Sequence, residues 1–278
     1  MLYPLVSTGW LEANLHDEKL IVLDASMQAV VGKEPLLYDK FVCLPKAQKC
    51  DLEQVFCDGS SRLPHAMPDA SQFTRGVQKL GVNHDSIVVI YDNQGIYSSP
   101  RAWWLFRVMG FDNVFVLDGG LPQWLAEGRS SARQYTKPAS AGNYAGNYQA
   151  HLVCDSTHVL QQMKYRDTAV IDARGVERFN GEAPEPRAGV RSGHIPGSVN
   201  LPFAQVLDGY QLKSVAELEQ LFAEADKSKK QRIFSCGSGI TACILILAAI
   251  AAGQPNCVLY DGSWADWGSD PELPVQTA

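Results

Sequence analysis

The chain has 278 residues, of which 46% are hydrophobic and 19% charged, and it carries a net charge of -6. That composition fits a globular protein of one large or two small domains, and the negative balance excludes a general nucleic-acid-binding role. Seven cysteines with no Cys-x-x-Cys pair exclude a zinc pattern, and a disulfide framework is not expected in a chain of this size. The spacing of Cys43, Cys50 and Cys57 by sevens reads as chance. Residues 1–10 lack a basic region followed by an apolar run, so no signal peptide is expected. The longest apolar stretch, Ile240 to Ala252, is too short to span a bilayer. The expectation is a protein of the reducing cytoplasm, with no metal, no cofactor and no membrane contact.

In chain order, the first strand signal is Leu20-Ile-Val-Leu-Asp24-Ala25. A helix is predicted from Thr74 to Lys79. A buried strand follows, Ile87-Val-Val-Ile-Tyr-Asp92, then a loop with Gly95 and a helix from Arg101 to Met109. A further strand ends in Val116-Leu-Asp118-Gly-Gly-Leu-Pro-Gln-Trp124. Residues 131–147 are rich in Ser, Ala, Gly, Asn and Tyr, show no period, and read as a linker. Strand signals resume at Ala169-Val-Ile-Asp172-Ala173. The Pro/Gly-rich run Val190 to Phe203 reads as a loop. A helix is predicted from Val215 to Ala225, then the strand Arg232-Ile-Phe-Ser-Cys236, a Gly-x-Gly loop and the apolar helix Ile240 to Ala252. The last strand ends in Leu259-Tyr-Asp261-Gly-Ser-Trp-Ala-Asp-Trp267.

Three landmarks recur in the same order: a strand ending in Asp-Ala, a strand followed by a Gly loop and helix, and a strand followed by Asp-Gly and a tryptophan. The chain therefore reads as two copies of one domain, residues 1–130 and 148–278. Strands alternating with helices predict the α/β class, each domain a mainly parallel sheet flanked by helices. Loops at the carboxyl ends of parallel strands build the sites of such folds.

Cys236 stands at one of those ends. Gly237 and Gly239 allow a tight turn with N–H groups directed inward, and the following helix adds its positive end. A thiol placed there is expected to lose its proton readily, and the thiolate is a nucleophile. An isolated cysteine is more often buried and inert; the strand–Cys–Gly-x-Gly–helix context reverses that reading. Aligning Gly95 with Gly239 sets Asp92 opposite Cys236, so the first domain is expected to be catalytically inactive.

These residues resemble the rhodanese superfamily in its tandem form, over nearly the whole chain. The loop Cys236-Gly237-Ser238-Gly239-Ile240-Thr241-Ala242 is similar to the active-site loop of 3-mercaptopyruvate sulfurtransferases, with Ile240 where Val is usual. Gly193-His194-Ile-Pro-Gly197 matches a structural motif of the family. Ser99-Pro-Arg-Ala-Trp103-Trp104 and Leu117-Asp-Gly-Gly120 also resemble the mercaptopyruvate branch. Thiosulfate sulfurtransferases carry basic residues just after the cysteine; here Gly237, Ser238 and Gly239 are neutral. Cysteine phosphatases need an Arg six residues past the cysteine; here it is Ala242.

The resemblance implies transfer of the sulfur of 3-mercaptopyruvate to a thiol, a thioredoxin-type protein or cyanide through a Cys236 persulfide, with release of pyruvate. Its rivals are thiosulfate:cyanide transfer and a non-catalytic binding module. It also implies that Arg178 and Arg187 grip the keto acid, since guanidinium groups make paired, charge-assisted bonds. Arg191 reads as a solvated neighbour. His65 is implied to stand near Cys236 and Ser238 in a Ser–His–acid set. Glu53 is the matching acid, with Asp58 the alternative because Phe56-Cys57-Asp58 holds one extra residue against the family pattern.

Overall fold

The computed structural model describes residues 3–165, 167–225, 231–254 and 256–278. The chain divides into two units. One holds Met1–Gly59, Met67–Gln149 and Asp208–Leu212; the other holds Ser60–Ala66, Ala150–Leu207 and Lys213–Ala278.

The first unit contains, in order, β1 (Leu5–Val6), α1 (Thr8–Asn14), β2 (Leu20–Asp24), β3 (Gln48–Lys49), α2 (Ala70–Lys79), β4 (Ile87–Tyr91), α3 (Ser99–Val108), β5 (Val114–Leu117) and α4 (Gly120–Ala126). Its strands form one parallel sheet in the order β1-β5-β4-β2-β3. α2 starts four residues before the sequence suggests. Asp69 caps it, its carboxylate accepting the N–H of Gln72 at 2.6 Å, and such a cap satisfies a donor the first helical turn leaves open.

The second unit repeats the plan with β6 (Val153–Cys154), α5 (Ser156–Gln162), β7 (Thr168–Asp172), α6 (Val176–Asn180), β8 (Val199–Asn200), α7 (Val215–Ala225), β11 (Gln231–Ser235), α8 (Ala242–Ala251), β12 (Cys257–Tyr260) and α9 (Ser263–Trp267). In the chain between β8 and α7, the short β9 (Leu207–Asp208) and β10 (Gln211–Leu212) form a separate two-stranded sheet, whose residues from Asp208 on belong to the first unit. The main sheet order, β6-β12-β11-β7-β8, is that of the first unit strand for strand, and all its pairs are parallel. Both sheets are therefore the α/β repeats the sequence predicts.

α8 is apolar on every side, and Cys243 to Ala249 are fully buried. A helix apolar all round belongs inside a core. Each buried Ile or Leu on it contributes about 1.5–3 kcal/mol by leaving water, so the element that follows Cys236 is firmly anchored. Trp264 and Trp267 of α9 are also fully buried, beside Val170, Ile233 and Tyr260.

The stretch 131–147 has no helix or strand, yet it runs as a strap along the first unit. Ala132 bridges Cys43, the N–H of Gly142 donates to Gln78 O at 2.8 Å, and the Tyr144 hydroxyl donates to Met109 O at 2.8 Å. Backbone groups brought against a protein surface need partners, and here the body of the unit supplies them.

Among the described residues no helix is long and apolar enough to cross a membrane, and no three His, Cys, Asp or Glu are grouped to hold a metal ion. The seven cysteines are free thiols.

Candidate active site

Cys236 directly follows β11, whose Ser235 is in register with Asp172 at the end of β7. It is 1% exposed. The chain then turns through residues 237–241, with Gly239 at φ +77°, before α8 begins. The left-handed region disfavours residues with a Cβ, which accounts for a glycine at that point. The N–H groups of Gly237, Ser238, Ile240 and Thr241 make no hydrogen bond to another group among the described residues.

The first unit demonstrates what such a loop does. Asp92 takes the place of Cys236: Leu121 donates its N–H to Asp92 O at 3.0 Å, as Trp264 does to Cys236 O at 2.9 Å. The Asp92 carboxylate is fully buried. It accepts the N–H groups of Gln94, Tyr97, Ser98 and Ser99 at 2.8–2.9 Å, and the Ser99 hydroxyl at 2.7 Å. The loop is thus a cradle for an anionic group, built from backbone dipoles. In the second unit the amides at the corresponding positions are those of Ser238, Thr241, Ala242 and Cys243, with a thiol in place of the carboxylate; that of Cys243 donates instead to Ile240 O at 3.1 Å.

Ser238 is buried, and its Oγ lies 3.0 Å from Nδ1 of His65. The segment Ser60–Ala66 that carries His65 belongs to the second unit. His65 has φ +57°, an uncommon conformation for a residue with a side chain. Glu53 and Asp58 belong to the first unit, and the Glu53 carboxylate accepts the N–H of Gln28 at 3.2 Å.

The two arginines are placed differently, and only Arg178 stands against the loop. Arg178 on α6 reaches Gly237: its Nη2 is 3.1 Å from the point where a Cβ at Gly237 would stand. Its Nε and Nη2 are engaged by the buried carboxylate of Glu185, which leaves Nη1 without a bond among the described residues. Arg187 instead lines a cavity of about 430 Å³ together with Arg62, Leu63, Pro64, Val190 and Asp266. That cavity also touches Ala265, whose N–H donates to Gly237 O at 3.0 Å. Neither Arg62 nor Arg187 has an ion-pair partner among the described residues.

Arg191 is not a solvated neighbour. Its guanidinium donates to the carbonyls of Trp267, Gly268, Asp270 and Leu273 and fastens the segment after α9. Five donors in a rigid fork suit a ring of carbonyls better than open water.

Sequence reasoning passed over Arg174. It is 2% exposed and forked onto the Asp172 carboxylate by Nε and Nη2 at 2.7–3.1 Å. It also donates to Glu185 at 2.8 Å and to Gly193 O at 2.8 Å, and stacks 4.4 Å over the Trp264 ring. Burial disfavours its charge, but Asp172 and Glu185 outweigh this and hold the guanidinium above its ordinary range. Glu185 thereby joins Arg174 to Arg178, so Arg174 helps to orient Arg178. The signal was the repeat itself, since Asp24-Ala-Ser26 in the first unit stands where Asp172-Ala-Arg174 stands in the second. Arg62 was also missed, because a lone exposed arginine carries no pattern.

A parallel five-stranded sheet written twice, with a cysteine on the loop after the central strand in one copy and a carboxylate in the other, defines a duplicated α/β protein with one thiol site. A family model described as the rhodanese-like domain matches residues 7–127 and 156–270. The chain belongs to the rhodanese-like family. It is 39% identical to thiosulfate/3-mercaptopyruvate sulfurtransferase 1, mitochondrial, of Arabidopsis thaliana, over 99% of this chain and 78% of that protein. It is 34% identical to the 3-mercaptopyruvate sulfurtransferase of Escherichia coli K12, over 98% of this chain and 97% of that one. A crystal structure of an Escherichia coli 3-mercaptopyruvate sulfotransferase superposes with a TM-score of 0.81 at 33% identity, covering 94% of this chain and 98% of the other.

Proposed function

We propose that this protein transfers the sulfur of 3-mercaptopyruvate to a thiophilic acceptor through a persulfide on Cys236. One observation carries the reading. The Cys236 loop has the build of the Asp92 cradle but no charged side chain of its own, so it suits a single anionic sulfur rather than a dianionic donor.

The Cys236 thiolate attacks the sulfur of the donor. A sulfur–sulfur bond forms, the donor's carbon–sulfur bond breaks, and its electron pair leaves with pyruvate as the enolate. Ser238 and His65, 3.0 Å apart, supply the proton that converts the enolate to pyruvate. Glu53 is the acid assigned to that pair, and Glu53→Gln is the variant that tests it. Arg178 offers Nη1 to the keto acid, while Glu185 fixes the rest of its guanidinium. Arg187 meets the carboxylate from the cavity side. A thiolate then takes the outer sulfur and regenerates Cys236. Small thiols and thioredoxin-type proteins are the acceptor class, in a cytoplasmic setting. No metal or cofactor takes part in this scheme.

The domains are assigned as 1–130, inactive because Asp92 fills the cradle, 131–147 as connection, and 148–278 as catalytic. Thiosulfate is the second reading: Arg62 and Arg187 line one cavity, although Asp266 and Asp270 line it too and offset their charge. The deciding experiment incubates the protein with each donor. Intact mass should show a single added sulfur, lost in Cys236→Ser, with equivalent pyruvate from 3-mercaptopyruvate. A wild-type protein that gains no sulfur from either donor overturns the reading.

A further inference from the structure

We infer that Ser263 is the positioning residue of the nucleophile, holding the Cys236 peptide in the geometry the loop requires. This rests on the reading of Cys236 as the nucleophile and adds a residue to it.

Ser263 opens α9 and is fully buried. Its φ is +51°, in the left-handed region that a residue with a Cβ adopts only at a cost. Such strain persists where the surroundings enforce it, and it gathers at functional sites. The enforcing contacts are visible. The Ser263 hydroxyl donates to Tyr260 O at 2.9 Å and accepts the N–H of Cys236 at 3.1 Å. The next residue, Trp264, donates its N–H to Cys236 O at 2.9 Å. The peptide groups on both sides of the Cys236 α-carbon are therefore gripped by two consecutive residues of α9, one of them through a side chain.

The first unit supplies the control. Leu121 corresponds to Trp264 through the same bond, so Gly120 corresponds to Ser263, and its φ is +53°. The backbone turn is the same in both copies. A Cβ at Gly120 would stand 2.3 Å from Gly95 O and 2.5 Å from Asp92 O, so that copy excludes any side chain. The second copy has opened enough room for a serine and keeps it in the strained conformation. Only the unit with the thiol has the hydroxyl. There the buried Asp92 carboxylate, which anchors the first loop by accepting four amides, has been replaced by a sulfur that must react. Holding the Cys236 backbone from outside the cradle replaces that anchor and leaves the amides of Ser238 and Thr241 to the sulfur.

The single hydroxyl proton of Ser263 is committed to Tyr260 O, so Ser263 does not donate to Sγ and acts through the peptide alone.

The test compares Ser263→Gly with Ser263→Ala in the full chain. Both variants leave the buried Cys236 N–H without its acceptor, but glycine also relieves the strain at φ +51°, so Ser263→Gly should melt at a higher temperature than Ser263→Ala. The kcat for pyruvate release should nevertheless fall on the order of ten- to a hundredfold in both variants, as misplacement of a reacting group does. KM should stay within about twofold, since no contact to the donor is lost. Alkylation of Cys236 by iodoacetamide should slow by roughly tenfold, a readout that needs no sulfur donor. Wild-type kcat and alkylation rate in Ser263→Gly overturn the inference, as does a loss that only tracks the unfolded fraction measured by circular dichroism. Should the wild type itself yield no pyruvate, the donor reading fails, while the alkylation rates still decide the role of Ser263.

Discussion

The Oγ of Ser238 and Nδ1 of His65 lie 3.0 Å apart, although 173 positions separate them in the chain. A hydroxyl on the loop that follows Cys236 is thus backed by the imidazole of a residue whose backbone is held at φ +57°. Groups that move a proton together give strongly non-additive losses. We expect Ser238→Ala and His65→Ala each to lower kcat for pyruvate release by roughly a hundredfold. The double variant should be little worse than either alone. Steady-state kinetics on the three variants check this, and fully multiplicative losses would separate the two residues.

Cys236 should be the first thiol to react with iodoacetamide at neutral pH. Burial pushes Cys154 and Cys257 up to about 12, which leaves them almost no thiolate. Peptide mapping after brief alkylation reads the order directly. Cys236→Ser should abolish sulfur loading and keep the circular dichroism spectrum.

Arg178→Ala and Arg187→Ala should each cost on the order of ten- to a hundredfold in kcat/KM for 3-mercaptopyruvate, the worth of a lost charge-assisted bond. Arg178→Lys should recover only part, because a point charge does not reproduce the fork that meets Glu185. Arg191→Ala should behave differently. It frees the carbonyls that follow α9, so it should lower unfolding stability by about 1.5–3 kcal/mol and leave kcat/KM of the folded protein unchanged. Urea titration beside kinetics separates the two outcomes.

Asp92→Ala should destabilise the protein without reducing activity per folded molecule. Four buried amides and the Ser99 hydroxyl lose their acceptor, at about 1–3 kcal/mol for each group left unsatisfied. The measurement is the shift of the urea midpoint at constant slope.

Asp24 predicts a pH effect. Burial raises its carboxyl above the ordinary value, against hydrogen bonds from Ser26, Tyr91 and Tyr135 that lower it. The folded state therefore keeps the proton to higher pH than the unfolded state. The stability this contributes is fully present below the unfolded value and is lost as pH rises through the folded one. The stability of wild type relative to Asp24→Asn should accordingly decline as pH rises above about 4. Urea unfolding of both proteins across that range reads the difference, and parallel pH curves would remove Asp24 as the cause.

Much of this molecule was legible without coordinates, because the information is local or repeated. Alternation of apolar runs fixes strands and helices over a few residues, so β4, β11 and α8 could be read directly. The duplicated landmarks announced two copies of one sheet, and the strand orders agree. Cys236 could be singled out because strand, glycines and helix lie adjacent in the chain. The substitution of Asp92 for it needed only an alignment of the halves. Tertiary structure alone decided which distant groups meet. The family likeness alone pointed His65 toward Ser238, and nothing in the sequence links Glu185 to both Arg174 and Arg178, or Ser263 to the Cys236 amide. Arg191 looked solvated because a sequence does not display backbone carbonyls, and four of them converge on it. Ser263 was invisible for the same reason: its role lies in a torsion angle and two hydrogen bonds, and those exist only once α9 has folded back against the end of β11.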